Sequence, residues 1–283
     1  EAGMLRYDTE KAMQVMHQWF NGYIFAKKSK ESLFNPCMVL HFLADSILNR
    51  DIDSDIPENL IDQNIRFDYE KLKYLILINK RLNGNFDCLK SIIEDGKRIS
   101  PVVSGFPLEK LANPENFTSL LYYFGLLTFK GIKQGVSVLS IPNLTIRDLM
   151  YGYIRDAYYD VNIFRINMLE LGDYIREMAW EGKWKQFFDF MAKEVKDQTS
   201  VRDYLYGEKV IQGFLLAYLS VSDFLIPTTE FEMNKGYCDF FLEPFKAKYP
   251  DLPFGYIIEL KYIPRSKKDK LSDRALQDAI KKA

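Results

Sequence analysis

Apolar residues recur at helical spacing through most of the chain before residue 200. In residues 8–20, Ala12, Val15, Met16 and Trp19 line one face of a predicted amphipathic helix. Further helices are predicted from Pro36 to residue 47, over 59–83, over 86–96 and, in several pieces, over 145–196. This part of the chain is therefore expected to be mostly helical.

The stretch 116–143 interrupts the helical pattern. It predicts a short helix, Thr118–Phe124, and then two strands, 126–129 and 136–141, joined by the turn-forming sequence KGIKQG. A helix followed by a two-stranded hairpin resembles a winged-helix module. Two roles stay open for it at this point: a structural domain without chemistry of its own, and nucleic-acid contact through the hairpin.

After residue 200 the pattern changes to one helix and three strands. Residues 201–221 carry an apolar helical face, and strands are predicted over 224–233, 237–243 and 255–262. A further helix begins near Ser272. The order helix, three strands, helix predicts a mixed α/β unit built on a sheet.

These patterns predict an α+β protein in three parts. A helical and winged-helix-like region occupies 1–152, a helical connector occupies 153–200, and the α/β domain occupies 201–283.

Composition narrows the range of functions. The chain has 283 residues and a net charge of −1, so no overall field favours nucleic acid or membrane. No apolar run reaches the roughly 18 residues that cross a membrane, and no signal peptide is visible. Three well-separated cysteines predict a reducing compartment, the cytoplasm. The two histidines exclude a histidine-rich metal site, and Glu1 in place of an initiator Met suggests a fragment of a longer protein.

Four charged residues of the α/β domain are candidates for chemistry. Asp239 interrupts one apolar strand, and Glu259 and Lys261 interrupt the next, two positions apart and therefore on one face. If these strands pair, two carboxylates approach each other, and a divalent cation such as Mg²⁺ relieves their repulsion through oxygen ligands. Lys261 could orient a water or neutralise charge on a phosphate, and Glu208 on the preceding helix could reach the same ion or its waters.

Each of these residues also has a purely structural interpretation. Glu208 is then a solvated helix residue, and Asp239 caps a turn or pairs with Lys235. Glu259 and Lys261 then form an ion pair. The apolar flanks of both strands favour a site, because a buried central strand has little reason to present charges to solvent.

The spacing Asp239, loop, Glu259-x-Lys261 resembles the PD-(D/E)XK nuclease superfamily, whose core has the order helix, three strands, helix, strand. Five segments resemble, in order, bacterial AAA-ATPase-like proteins that end in such a nuclease domain: WFNGYIF, LFNPCMVLHFL, SLLYYFGLLTF, IPNLTIRDLMYGYI and GEKVIQGFLLAYL. The resemblance covers nearly the whole chain and implies a restriction-endonuclease-like core at 201–283. It also implies that Glu208 is the first-helix acid, Asp239 the metal-binding aspartate, and Glu259 and Lys261 the ExK pair.

The chain departs from that family's pattern in three ways. It has no GxxxxGK[ST] motif, so the ATPase core expected before WFNGY is absent, and region 1–150 is not expected to bind nucleotide. Tyr237 stands where many relatives carry Arg. The glutamine expected in the last helix and the final strand fall beyond Ala283, because Gln277 comes too early.

The resemblance implies a metal-dependent nuclease that hydrolyses DNA phosphodiester bonds with Mg²⁺ or Mn²⁺, coupled to an AAA-type ATPase in the full-length protein. The basic residues Arg265, Lys267, Lys268 and Lys270 are expected to contact the nucleic-acid backbone. Two alternatives remain: a nuclease fold that binds nucleic acid or protein without cutting, and a regulatory role for the helical part. No membrane partner is expected, and the sequence leaves the oligomeric state open.

Overall fold

The computed structural model of the protein describes residues 9–27, 29–48, 56–57, 59–61, 74–78, 81–111, 113–198, 200–201, 204–233 and 236–262. The chain divides into two compact units, Glu1–Val161 and Asn162–Ala283. Their mixture of helices and small antiparallel sheets is consistent with the predicted α+β class. No helix in the described ranges is long and apolar enough to cross a membrane. The predicted boundaries near residues 152 and 200 stay predictions.

The first unit combines helices with two small sheets. Its helices are α1 (Thr9–Phe20), α2 (Pro36–Leu48), α3 (Gly84–Asp95), α4 (Pro114–Tyr123) and α5 (Leu144–Asp160). Its strands are β1 (Leu77–Ile78), β2 (Arg81–Leu82), β3 (Lys97–Ile99), β4 (Thr128–Lys133) and β5 (Val136–Ser140). Strands β1 and β2 form one antiparallel pair, and the other three form an antiparallel sheet in the order β3-β5-β4.

The predicted helix over 59–83 is wrong in the described part of that stretch. Residues 77–78 and 81–82 pair as strands β1 and β2. The following helix begins at Gly84, where the Asn83 side chain caps it by accepting hydrogen bonds from the amides of Asn85 and Phe86. The predicted helices at 8–20, 86–96 and 145–196 are confirmed with small shifts in their ends.

The Asn21-Gly22 turn after α1 is held by the start of α5. The Asn143 side chain donates to the Asn21 carbonyl at 2.9 Å, and the Thr145 hydroxyl donates to the Trp19 carbonyl at 2.7 Å. Gly22 has a φ of +102°, and a Cβ at this position would lie 2.0 Å from the Pro142 carbonyl oxygen. Glycine is therefore required here both by backbone conformation and by space.

The described part of the second unit packs three helices with one three-stranded sheet. Its helices are α6 (Met168–Glu181), α7 (Trp184–Asp197) and α8 (Glu208–Leu219). Its strands β6 (Leu225–Met233), β7 (Gly236–Pro244) and β8 (Tyr256–Ile258) form an antiparallel sheet in the order β6-β7-β8. The rings of Phe164, Phe214 and Tyr218 meet at centroid distances of 4.9–5.2 Å and fix α8 in this unit's core.

The two faces of strand β7 differ in burial. Cys238, Phe240 and Leu242 are fully buried on one face, whereas Asp239 and Phe241 alternate with them and are half-buried. This alternation follows from the two-residue period of a strand. The central strand therefore presents an aspartate on its more open face.

Strand β8 is shorter than predicted. The predicted strand covers 255–262, but pairing extends only over Tyr256–Ile258. Exposure still alternates beyond it, with Glu259 and Lys261 exposed and Leu260 and Tyr262 half-buried. The predicted helix near Ser272 lies outside the described residues.

Candidate active site

Sheet register brings Asp239 and Glu259 to adjacent positions. Phe240 on β7 lies opposite Ile258 on β8, in antiparallel register. Asp239 is the residue before Phe240, and Glu259 is the residue after Ile258, so continuing the register sets the two acids opposite each other. Opposite residues in such a pair have Cβ atoms about 5 Å apart and share one face of the sheet.

The two carboxyl groups are in hydrogen-bond contact. Partial removal from water raises the pKa of Glu259 most. The charge of the Asp239 carboxylate and a side-chain hydrogen bond with it raise this pKa further, and the charge of Glu208 adds to the effect. The Asp239 backbone amide donates to the Glu259 carboxylate and acts in the opposite direction. Negative charge thus converges at one point beside the sheet.

Side-chain carboxylates replace strand pairing after Ile258. The Leu260 amide donates to Oδ2 of Asp239 at 2.5 Å, and the Tyr262 amide donates to Oε2 of Glu208 at 3.3 Å. These bonds occupy amides that the predicted strand would use for pairing, which explains why β8 ends early. Lys261 lies between the two anchored amides.

Gln212 is a site residue that sequence reasoning missed. It follows Glu208 by one helical turn on α8, and its side-chain amide donates to the main-chain carbonyl of Asp239. Residues four apart lie on the same face of a helix. The available signal in the sequence was a polar residue within the otherwise apolar stretch VIQGFLLAYL.

Gly255 sets how closely β8 approaches β7. A Cβ at this position would lie 2.9 Å from Cδ of Pro244 and 3.0 Å from the Leu242 carbonyl oxygen. An alanine here would force the Pro244 ring to shift and would crowd the Leu242 carbonyl. The glycine therefore permits the approach that brings Glu259 beside Asp239.

Among the described residues, the Asp239 and Glu259 carboxylates are the pair that could bind a divalent cation. The described part of the chain contains no group of three or more His, Cys, Asp or Glu side chains placed for a metal ion. Mg²⁺, however, is commonly bound by one or two carboxylates and keeps several waters, so the contact between Asp239 and Glu259 is chemically sufficient for such an ion. The predicted nucleic-acid contacts Arg265, Lys267, Lys268 and Lys270 lie outside the described residues.

The segment that carries this arrangement is similar to a known family. Residues 206–282 match the family model described as the PD-(D/E)XK nuclease superfamily. No curated protein and no solved structure matches the chain. The carboxylate pair, Lys261 and Gln212 all fall within the matched segment, which is thus similar to a superfamily whose nucleases generally use divalent metal ions.

Proposed function

We propose that the domain containing residues 206–282 is a metal-dependent nuclease that hydrolyses phosphodiester bonds of DNA. The observation that supports it most is the contact between the Asp239 and Glu259 carboxyl groups, with Lys261 two residues further along. Two like charges in contact are unfavourable unless a proton or a cation lies between them. The same segment is similar to the PD-(D/E)XK nuclease superfamily, and this similarity favours a cation at the pair and nuclease activity.

In this proposal each charged residue has a separate role. Asp239 and Glu259 would hold Mg²⁺ or Mn²⁺, which, when bound, supplies Lewis acidity for hydrolysis. The Lys261 ammonium would neutralise charge that develops on the scissile phosphate. Glu208 anchors the Tyr262 amide at 3.3 Å, and its charge reaches Glu259, so it lies at the edge of the ion's surroundings.

The substrate and partners follow from charge and resemblance. The basic run with Arg265, Lys267, Lys268 and Lys270, which follows Lys261 in the sequence, would contact the phosphate backbone. The resemblance to bacterial AAA-ATPase-like proteins supports a cytoplasmic role in which an ATPase core controls this nuclease.

For the first unit we propose a winged-helix-like module. The sheet order β3-β5-β4 and the preceding helix α4 support it. The face of α4 with Asn116 and Ser119 is covered by the preceding segment, through hydrogen bonds to the carbonyls of Lys110 at 2.9 Å and Pro101 at 3.5 Å. This helix therefore has little free surface for a DNA groove, and nucleic-acid contact in this unit would use the exposed lysines of β4.

A cleavage assay tests the proposed function. The protein should cut circular, linear or single-stranded DNA in Mg²⁺ or Mn²⁺, and EDTA should stop it. Glu259→Ala should remove a metal ligand and abolish cleavage, while DNA binding persists because local negative charge falls. Equal cutting by wild type and Glu259→Ala would show that the activity comes from a contaminant.

One observation favours a second candidate, a nuclease fold that binds without cutting. Both Asp239 and Glu208 already accept main-chain amides, so these carboxylates also have a structural use. DNA binding without cleavage in either metal, together with no measurable Mn²⁺ binding, would favour this candidate over the nuclease.

A further inference from the structure

Asp239 is held from three directions. Its side chain accepts the Leu260 amide, its own amide donates to the Glu259 carboxylate, and its carbonyl accepts the Gln212 side chain. The first two bonds come from the segment after β8, whereas the third comes from a helix. Among the described residues, the bond from Gln212 is the one that ties the aspartate to an element outside the sheet.

We propose that Gln212 is a positioning residue, which fixes the Asp239 main chain so that the two carboxylates converge on one divalent ion. The inference rests on the proposed function, because it concerns the same ion. Gln212 itself would not touch the ion. Its effect would pass through the peptide group of Asp239 to the orientation of that residue's carboxylate.

The rigidity of α8 makes this role effective. The residues that follow Gln212 on α8 are buried, and two of them, Phe214 and Tyr218, pack against Phe164 in the core. A side chain projecting from so fixed a helix has little freedom to follow a moving strand. Its hydrogen bond therefore restrains the Asp239 carbonyl in a defined position.

The carbonyl of Asp239 lies just past the described β7–β8 ladder, although β7 itself continues and stays paired with β6 at Cys238 and Phe240 on either side of this residue. The described β7–β8 ladder covers Phe240–Leu242 and Tyr256–Ile258, so Asp239 is one residue past it. A half-buried carbonyl without a hydrogen-bond partner is costly. Gln212 supplies the partner at this position.

Glu208, one turn earlier on α8, contacts the segment that carries Lys261. Its carboxylate accepts the Tyr262 amide at 3.3 Å. The first two turns of α8 therefore hold both the Asp239 carbonyl and the segment that carries Lys261. One face of α8 therefore contacts both segments that carry the site residues. This is more than a single side-chain hydrogen bond to a nearby carbonyl would provide.

Gln198 provides a matched control in the same unit. Its side chain also bonds to main chain, donating to the Arg165 carbonyl and accepting the Arg165 amide, both at 2.7 Å. Replacing either glutamine with methionine keeps the side-chain length and removes the hydrogen bonds. A loss that is merely structural would appear in both variants, whereas an effect on the ion would appear only at Gln212.

The experiment measures Mn²⁺ binding directly, by the loss of the free-ion electron paramagnetic resonance signal, alongside thermal unfolding. Gln212→Met should weaken Mn²⁺ binding by about 10-fold or more, the usual effect of losing a residue that orients a metal ligand. Gln198→Met should bind Mn²⁺ as wild type does. If Gln212→Met fails to fold, Gln212→Asn, which is one methylene shorter and keeps the amide, decides in its place and should also weaken binding.

The outcomes separate this inference from the proposed function. Wild-type binding of Mn²⁺ with equal binding by the Gln212 variants would overturn the positioning role and leave the nuclease proposal standing. Equal weakening in Gln212→Met and Gln198→Met would also overturn it, because general destabilisation would explain both. No Mn²⁺ binding by wild type would overturn both proposals.

Discussion

Replacing Glu259 with glutamine should stabilise the protein in the absence of metal and remove its stabilisation by metal. The Glu259 and Asp239 carboxyl groups are in contact, and partial removal from water, together with the charge of the Asp239 carboxylate, raises the pKa of Glu259. A glutamine keeps the shape, accepts the Asp239 amide as before, and can donate its own amide hydrogen to the Asp239 carboxylate. The substitution thus removes one charge and retains the hydrogen bonds.

The magnitude follows from the exposure of the pair. Two unit charges about 4 Å apart interact by about 1 kcal/mol in water, and Glu259 is exposed, so water-like screening applies. Glu259→Gln should therefore raise the free energy of unfolding by about 1 kcal/mol at neutral pH and low salt, which corresponds to about 4 °C in Tm for a unit of this size.

The effect should depend on pH in a defined direction. Because the folded-state pKa of Glu259 is raised, the wild-type fold favours the protonated acid and loses stability as pH rises from the ordinary glutamate pKa through the raised value. The glutamine variant lacks this loss. The difference in Tm between the two proteins should therefore be small at acidic pH and widen toward neutral pH.

Divalent metal should reverse the order of stability. At a free concentration 100 times Kd, an ion bound only by the native state stabilises it by about 2.7 kcal/mol, more than the repulsion it relieves. Mn²⁺ or Mg²⁺ should therefore raise the Tm of wild type and leave that of Glu259→Gln nearly unchanged. Differential scanning fluorimetry with a metal titration at several pH values measures both effects.

Glu243→Gln is the control for a change of charge on the same strand. Glu243 is exposed on β7, four residues from Asp239 on the same face, and is therefore about 13 Å away. Its substitution should change neither the metal-free Tm nor the response to metal. Equal Tm values for wild type and Glu259→Gln at neutral pH, with identical metal responses, would refute the reasoning that the carboxylate pair binds the ion.

Two further predictions concern the turn after α1 and the lysine of the site. Gly22→Ala should lower the free energy of unfolding, measured by urea titration, by about 3 kcal/mol or more, because its Cβ would meet the Pro142 carbonyl oxygen at 2.0 Å in a positive-φ conformation. Gly131→Ala should be nearly neutral in the same titration, because there is open space around that position. Lys261→Ala should keep Mn²⁺ binding but lower the turnover of DNA by about 10²–10³-fold. As a control, Lys246 is also exposed, and Lys246→Ala should leave turnover unchanged. Full turnover by Lys261→Ala would show that this lysine takes no part in the chemistry.

The elements of the second unit were largely predictable from apolar patterns, although the helix predicted over 201–221 forms only over Glu208–Leu219. The buried run of α8 and the alternation along β7 both leave clear periodicity in the sequence. Asp239 and Glu259 stood out because charges in apolar strands are unusual. The strand register that sets them opposite each other follows from this antiparallel pairing.

The features that escaped prediction depend on side-chain contacts with the main chain. Strand β8 ends early because Asp239 and Glu208 accept the amides of Leu260 and Tyr262, which periodicity does not reveal. The helical spacing within 59–83 was misleading because residues 77–78 and 81–82 pair as strands, and Asn83 caps a separate helix that begins at Gly84. Gln212 looked like an ordinary helix residue, since its partner is a carbonyl 27 positions away.

Diffraction from crystals soaked in Mn²⁺, recorded with anomalous scattering, tests the central claim most directly. The account predicts an anomalous peak between the Asp239 and Glu259 carboxylates, bonded to an oxygen of each, and no such peak in crystals of Glu259→Ala. Wild-type crystals at saturating Mn²⁺ without a peak at this position, or with the ion bound elsewhere, would contradict it.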